Sequence, residues 1–359
     1  MIETARSILA FLIVLGVLVF FHELGHYLAA RSRGVVVEAF SIGFGPKLLS
    51  WKARSGTVWK ISALPLGGYV KMQGWGDDED APKLPGSFAA ASLGSKALIV
   101  AAGPVANMIL AFVLFTGLFV AAGQVVVQPV LSKVVAGSPA ALGGLLPGDR
   151  IITVGGHQIT HFEDMQGFVA DHPDTEIIIT FSRNGAVMTK QIMTGHKDLD
   201  GDEIGMLGVE GDQVSTVKLG PIAAVTAAGA ETWNLTAETA TGLFNLVLHG
   251  RGAHDLGGPL RIAQMSGKVA ALGLPSLVSF IAMLSVNLGL INLVPIPILD
   301  GGHLLFYAGE AIYGKPIPKR AQEFGLRCGF ALLLSLFVFT TVNDLTQLGA
   351  VHWVQHLLG

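Results

Sequence analysis

ILAFLIVLGVLVFFHELGHYLAA, residues 8–30, decides how this chain is built. Residues 8–21 are apolar or glycine; His22 and Glu23 then break the run, and His26 follows one helical turn later. A helix needs about 20 apolar residues to cross a bilayer core, so the stretch is long enough for a span. A secretory signal fits poorly, because Glu3 balances Arg6 before the run and Glu23 interrupts it. Ionisable groups within a span are expensive unless paired or wetted, which marks them as functional. In a helix, side chains four residues apart share a face, so His22 and His26 can hold one zinc ion. Glu23 between them is then placed as a general base for water. The bland alternative is a polar cluster that joins helices.

The whole composition supports a membrane setting. Of 359 residues, 51% are hydrophobic and 14% charged, with a mean hydropathy of +0.58; soluble domains carry about 25% charge. Disordered, collagenous and coiled-coil classes are excluded. The single cysteine, Cys328, cannot close an intramolecular disulfide. With 23 Lys+Arg against 26 Asp+Glu, the net charge is −3, and no basic field exists to hold nucleic acid. Three more uncharged runs follow, at 97–124, 269–299 and 328–343. The fold expected is a polytopic α-helical membrane protein with about four transmembrane helices.

Residues 128–213 differ in character. Strand-like alternation recurs in PVLSKVV (129–135), DRIITVGG (149–156), EIIITFSRNG (176–185) and AVMTKQIM (186–193), separated by turn signals. A soluble β-rich domain is expected there. Residues 221–248 carry only Glu231 and Glu238. They are expected to form a helix on the membrane or against the bundle, with the glycine-rich 250–258 preventing a continuous span. The expected divisions are 1–123, 124–213, 214–271 and 272–359. His157, His161, His172 and His196 read as solvated, and 77–80 as an exposed acidic loop.

Orientation follows Lys/Arg density near the spans. Residues 31–96 hold nine Lys/Arg, whereas the nine in 125–268 are spread over more than twice the length; Lys315, Lys319, Arg320 and Arg327 follow the third run. The segments 31–96 and 300–327 are therefore expected in the cytoplasm, with the β-rich domain and both termini outside.

Catalytic zinc usually has three protein ligands and an open position, so His22 and His26 need a partner at similar depth. Asp300 in NLVPIPILDGGH (292–303) is the leading candidate: Pro295 and Pro297 forbid regular helix, and Gly301 and Gly302 permit close approach. The alternative for Asp300 is a helix-end residue at the interface, and His303 is a rival ligand.

Taken together, HELGH (22–26), GFGP (43–46), LPLGGYVKM (64–72), AAGPVANMILA (101–111) and VNLGLINLVPIPILDGGHLL (286–305) resemble the site-2 protease family of intramembrane zinc metalloproteases. The bacterial RseP type is nearest. The resemblance spans nearly the whole chain. It implies one zinc per chain on His22, His26 and Asp300, with Glu23 as the catalytic carboxylate. It also implies that Asn287 and Asn292 contact an unwound substrate. Gly67, Gly68, Tyr69 and Val70 would lie in a membrane-associated β-hairpin whose edge pairs with that substrate.

Elementary chemistry is compatible with those roles. A helical peptide bond is already hydrogen-bonded, so cutting it requires unwinding and replacement partners, such as a sheet edge or Asn side chains that both donate and accept. Interhelical bonding by the two Asn, and an ordinary interfacial hairpin, remain the alternatives. AGSPAALGGLLPGDRIITVGGHQI (136–159) resembles a circularly permuted PDZ domain, giving an inserted α+β PDZ domain with a peptide ligand. There is room for one such domain, where RseP proteins carry two. The implied partners are transmembrane protein substrates, such as anti-sigma factors or remnant signal peptides, and membrane lipids. The implied location is the bacterial inner membrane, with the PDZ domain on the extracytoplasmic side. A competing class is a membrane transporter or receptor using the polar residues for ions. A transporter would favour internal repeats, and the sequence shows no convincing one.

Overall fold

A computed structural model describes residues 2–75, 84–199, 202–249 and 257–347. The acidic run at 77–80 and residues 250–256 of the glycine-rich break lie outside the described residues. The chain divides into two compact units, Met1–Leu118 with Val225–Gly359, and Phe119–Ala224.

The first unit opens with helix α1, Ile2–Ser32, which has Glu3 in its first turn and Arg31 in its last, both complementing the helix dipole. Strands β1, Val37–Lys52, and β2, Val58–Met72, follow as an antiparallel pair. The pair curls. Residues 39–42 bond to 68–71 on one side and to 58–61 on the other, while 49–52 flank 58–61 on its far side. Residues 68–71 thus form an edge of the layer. Helix α2, Leu93–Ala121, completes this half with Pro104 in its interior.

The second unit is mixed α and β. Its ends are tied by β3, Gln124–Val127, which pairs with Val214–Val217. Strand β4, Lys133–Val134, and helix α3, Pro139–Leu142, come next, the helix capped by Ser138. The main sheet is antiparallel, in the order β6 (His157–Gln158), β5 (Arg150–Val154), β7 (Glu176–Arg183), β8 (Ala186–Met193). Helix α4, Phe162–Ala170, buries Phe162, Met165 and Val169 in a core with Ile151, Ile179 and Phe181. Strands β9, Gly195–Leu199, and β10, Asp202–Met206, make a hairpin. Strand β11, Val209–Glu210, pairs with β4, and β12, Val214–Val217, with β3.

Asp149 of the PGD turn is fully buried. It accepts two bonds from the Arg183 guanidinium at 2.7 Å and one from the Leu146 N–H at 2.8 Å, fixing the turn onto β7. This partner holds Arg183 above its ordinary pKa. The continuous strand expected at 129–135 is instead broken. Val130 bridges to Arg150 while Lys133–Val134 pairs with β11, because the chain changes partners midway. Each of the four insert histidines makes local contacts: His196 to Asp174 at 2.8 Å, His161 to Asp164, His172 to the Phe168 carbonyl, and His157 against the Phe168 ring.

Back in the first unit are α5, Pro221–His249, α6, Pro259–Ala271, α7, Leu274–Leu293, α8, Asp300–Tyr313, and α9, Lys319–Gln347. Among the described residues four helices, α1, α2, α7 and α9, are long and apolar enough to cross a membrane, the number expected. Two boundaries differ from the sequence expectation. The uncharged run at 269–299 holds a helix break, since α6 ends at Ala271 and Gly273 turns the chain at φ +110 before α7. The 16-residue apolar run at 328–343 lies within a 29-residue helix, whose first turns carry Lys319, Arg320, Glu323 and Arg327. Long basic side chains near a helix end can snorkel to water.

Helix α6 packs on α1, where a methyl group on Gly267 would collide with Ser7. The cap at its N-terminus, Gly258, has no side chain to offer. Asp344 of α9 fills the role: it is 2% exposed and accepts from the N–H groups of Gly258 and Arg261, both at 3.0 Å. Asp344→Ala is expected to lower stability by about 1.5–3 kcal/mol, the scale of hydrogen bonds to a charged group. Thermal unfolding of the detergent-solubilised protein checks this, and an unchanged midpoint contradicts it.

Candidate metal centre and active site

The site forms where α1 crosses α2, and small residues allow the approach. Gly25, between the two histidines, faces the Ala102 carbonyl so closely that a Cβ would not fit. Gly103 lies against the His26 ring, where a Cβ would overlap Nε2. Such residues let helix backbones come close.

Asp300 reaches the same place from the other end of the chain. After α7 the backbone turns through Pro295 and Pro297, and Ile298 takes φ +99, a conformation that costs a β-branched residue on the order of 1–3 kcal/mol. The turn is wedged in place. Gly301 packs on the Leu293 and Val294 carbonyls, Gly302 on the Ile296 carbonyl, and Gly329 of α9 on the Pro297 carbonyl. Asp300 then opens α8.

Three atoms able to bind a metal converge. His22 Nε2 lies 3.2 Å and His26 Nε2 3.6 Å from Asp300 Oδ2, and the two nitrogens are 3.3 Å apart. His26 Nδ1 is 2.8 Å from the Ile99 carbonyl; as its donor, Nδ1 carries the proton and Nε2 keeps its lone pair. Asp300 Oδ2 is buried with no hydrogen-bond partner. A cation among these three atoms would be held by all of them, provided each nitrogen offers its lone pair. Zinc bonds of about 2.0–2.1 Å in a tetrahedron give ligand-to-ligand edges of roughly 3.3 Å, close to the spacings found. The donor set, two imidazoles and a carboxylate, suits zinc with a fourth position open. Among the described residues this is the one His/Cys/Asp/Glu group placed to hold a metal.

Glu23 stands beside this cluster, next to His22 on α1. Its Cγ would be 3.0 Å from a Cβ on Gly68, so the 68–71 edge runs alongside the carboxylate. Gly67 has φ +111, and Tyr69 stacks on Phe44 with centroids 6.0 Å apart. Asn287 Oδ1 accepts from the Thr239 hydroxyl of α5 at 2.8 Å, while Asn292 is half-buried near the end of α7. His303, the rival ligand, packs edge-on to Trp75 and is not in the cluster. Sequence reasoning did not single out Ile99, Gly103 or Asn107, which surround the histidines. For Gly103 and Asn107 the signal was AAGPVANMILA (101–111), read as a family motif with no role given to either residue.

A His–His–carboxylate cluster with a glutamate beside it, among helices able to cross a membrane, defines a metallopeptidase of the intramembrane kind. Comparison with known proteins agrees. The model of Peptidase family M50 matches residues 10–336, and this chain belongs to that family, the site-2 proteases. A relative in Rhizobium meliloti is 40% identical over 95% of this chain and 97% of its own length. The zinc metalloprotease RasP of Geobacillus kaustophilus is 31% identical over 97% of this chain and 99% of its own. A solved PDZ domain of an SdrC-like protein from Listeria monocytogenes is similar over 23% of this chain and 84% of that one, at 17% identity and a TM-score of 0.21. The protein is an intramembrane zinc protease; the transporter alternative is not favoured.

Proposed function

We propose that this protease holds one zinc on His22, His26 and Asp300 and cuts the transmembrane segments of single-span proteins, such as anti-sigma factors or remnant signal peptides. The observation that carries the metal assignment is the convergence of His22 Nε2 and His26 Nε2 on the buried, unpartnered Oδ2 of Asp300. Zinc bound there supplies Lewis acidity, polarising a scissile carbonyl and making water easier to deprotonate. Glu23 takes a proton from the attacking water and returns it to the leaving amine. Residues 67–70 receive the unwound substrate as an added strand along the edge beside Glu23. Asn287 and Asn292 give that backbone further partners; while Thr239 donates to its Oδ1, Asn287 still has a second lone pair and its Nδ2 hydrogens to offer.

The location proposed is the bacterial inner membrane, with four spans and the insert on the extracytoplasmic side. Lys/Arg density supports this orientation. Leu48, Leu49 and Trp51 are exposed on the β1–β2 sheet between Lys47 and Lys52, a pairing suited to lipid at the interface. We assign the insert as a PDZ domain with a peptide ligand. A groove of about 350 Å³ between α4 and residues 204–210, lined by Met165, Val169 and Leu207, is shaped for an extended segment.

The test is zinc content together with cleavage of a model transmembrane peptide by the purified chain. One zinc per chain and a single internal cut are expected. A zinc-free chain that moves ions across vesicles without cutting contradicts the proposal. Because the described residues of the insert form no catalytic cluster, deleting 127–212 is expected to leave peptide cleavage within about 100-fold, taking the lower bound for loss of a catalytic group as the limit, and to admit substrates with bulkier outer domains. Competition between substrates of different outer size measures it, and complete loss of cleavage in a folded, zinc-loaded variant counts against it.

A further inference from the structure

The two histidines are oriented by different neighbours, and one of these assignments leaves an atom unexplained. His26 has the Ile99 carbonyl as acceptor for its Nδ1–H. His22 Nδ1 instead faces the side-chain amide of Asn107 on α2, with Nδ2 at 3.4 Å. Asn107 is fully buried, and its Oδ1 has no partner.

The oxygen and nitrogen of a carboxamide have the same shape, so which one faces His22 is decided by the hydrogen bonds. With Nδ2 toward the ring, Nδ1 has to accept, and the ring proton moves to Nε2, the atom aimed at Asp300. A protonated Nε2 cannot bind a metal. With Oδ1 toward the ring, Nδ1–H donates to it, the orphaned oxygen is satisfied, and Nε2 presents a lone pair beside that of His26. The second arrangement frees Nε2 for a metal and gives Oδ1 a donor, the amide nitrogen taking the position that the oxygen leaves. The helix position is itself held: Ser285 of α7 donates to the Asn107 backbone carbonyl at 2.8 Å, and a Cβ on Gly289 would sit 3.5 Å from that of Asn107.

Building on the metal assignment above, we infer that Asn107 is a positioning residue for the zinc site, its Oδ1 accepting from His22 Nδ1–H and so fixing the tautomer that exposes Nε2. It corresponds on His22 to what the Ile99 carbonyl does on His26. Partners of this kind typically contribute 10–100-fold to metal affinity.

The experiment is zinc affinity by chelator competition on the full chain in detergent, for native protein, Asn107→Leu and Asn107→Asp. Asn107→Leu keeps the volume without an acceptor, and is expected to bind zinc about 10–100-fold more weakly. Asn107→Asp keeps an acceptor oxygen and is expected to recover most of that loss. Equal loss in both variants, or native affinity in a folded Asn107→Leu, overturns the inference while leaving the metal assignment standing. A native chain that takes up no zinc overturns both. Should the variants fail to fold, the ¹⁵N spectrum of the His22 ring in the native zinc-loaded chain decides: metal on Nε2 with a proton on Nδ1 is expected, and metal on Nδ1 overturns it.

Discussion

Glu23→Gln is expected to cleave a transmembrane peptide about 10²–10⁴-fold more slowly than the native chain, the usual cost of losing a positioned general base, and to keep its zinc. The substitution preserves the size and shape of the side chain beside the 68–71 edge. The three converging atoms of His22, His26 and Asp300 are untouched. What disappears is the ability to take a proton near neutral pH. Cleavage rate and metal content measured on one preparation separate the two effects. Cleavage at the native rate would falsify the role given to Glu23.

The second large effect belongs to Asp300. Removing its carboxylate by Asp300→Ala leaves two histidines on one helix face, one ligand short of a catalytic zinc site. Zinc affinity should fall by more than the roughly 100-fold that loss of an outer partner can cost, and cleavage should vanish with it. The fold has reason to survive, because the turn before Asp300 is held by Gly301, Gly302 and Gly329 against backbone carbonyls, not by the carboxylate. Asp300→Ala also relieves a buried oxygen that has no hydrogen-bond donor. Chelator competition alongside thermal unfolding tests the pair of expectations. A variant with native zinc affinity would show that the third ligand lies elsewhere.

Local chemistry was legible in the sequence wherever a short spacing carried it. His22 and His26 are one turn apart in any helix, and Asp300 stood out as a charge closing an uncharged run. The four long helices were likewise written in composition. Features set by tertiary packing were not. Nothing in the spacing of Asn287 points to Thr239, 48 positions earlier. The boundary between α6 and α7 falls at Gly273 inside a run that stays uncharged throughout, so charge could not reveal it. Helix α4 is nine residues long between strands, too short for its period to stand out from alternation. The break in the 129–135 strand depends on β11, more than seventy residues downstream, and on no residue within it.

The wedge that places Asp300 is made from the last part of the chain, whereas His22 and His26 stand near its start. A ribosome adding about 5–20 residues per second reaches the LDG turn tens of seconds after the first helix has been made. Gly329, which backs the Pro297 carbonyl, arrives later still. During all of that interval the nascent chain lacks one of the three ligands proposed for the metal. On the ligand set proposed here, a chain cut short before the LDG turn carries the two histidines without their third partner, and so lacks the means to cut its neighbours.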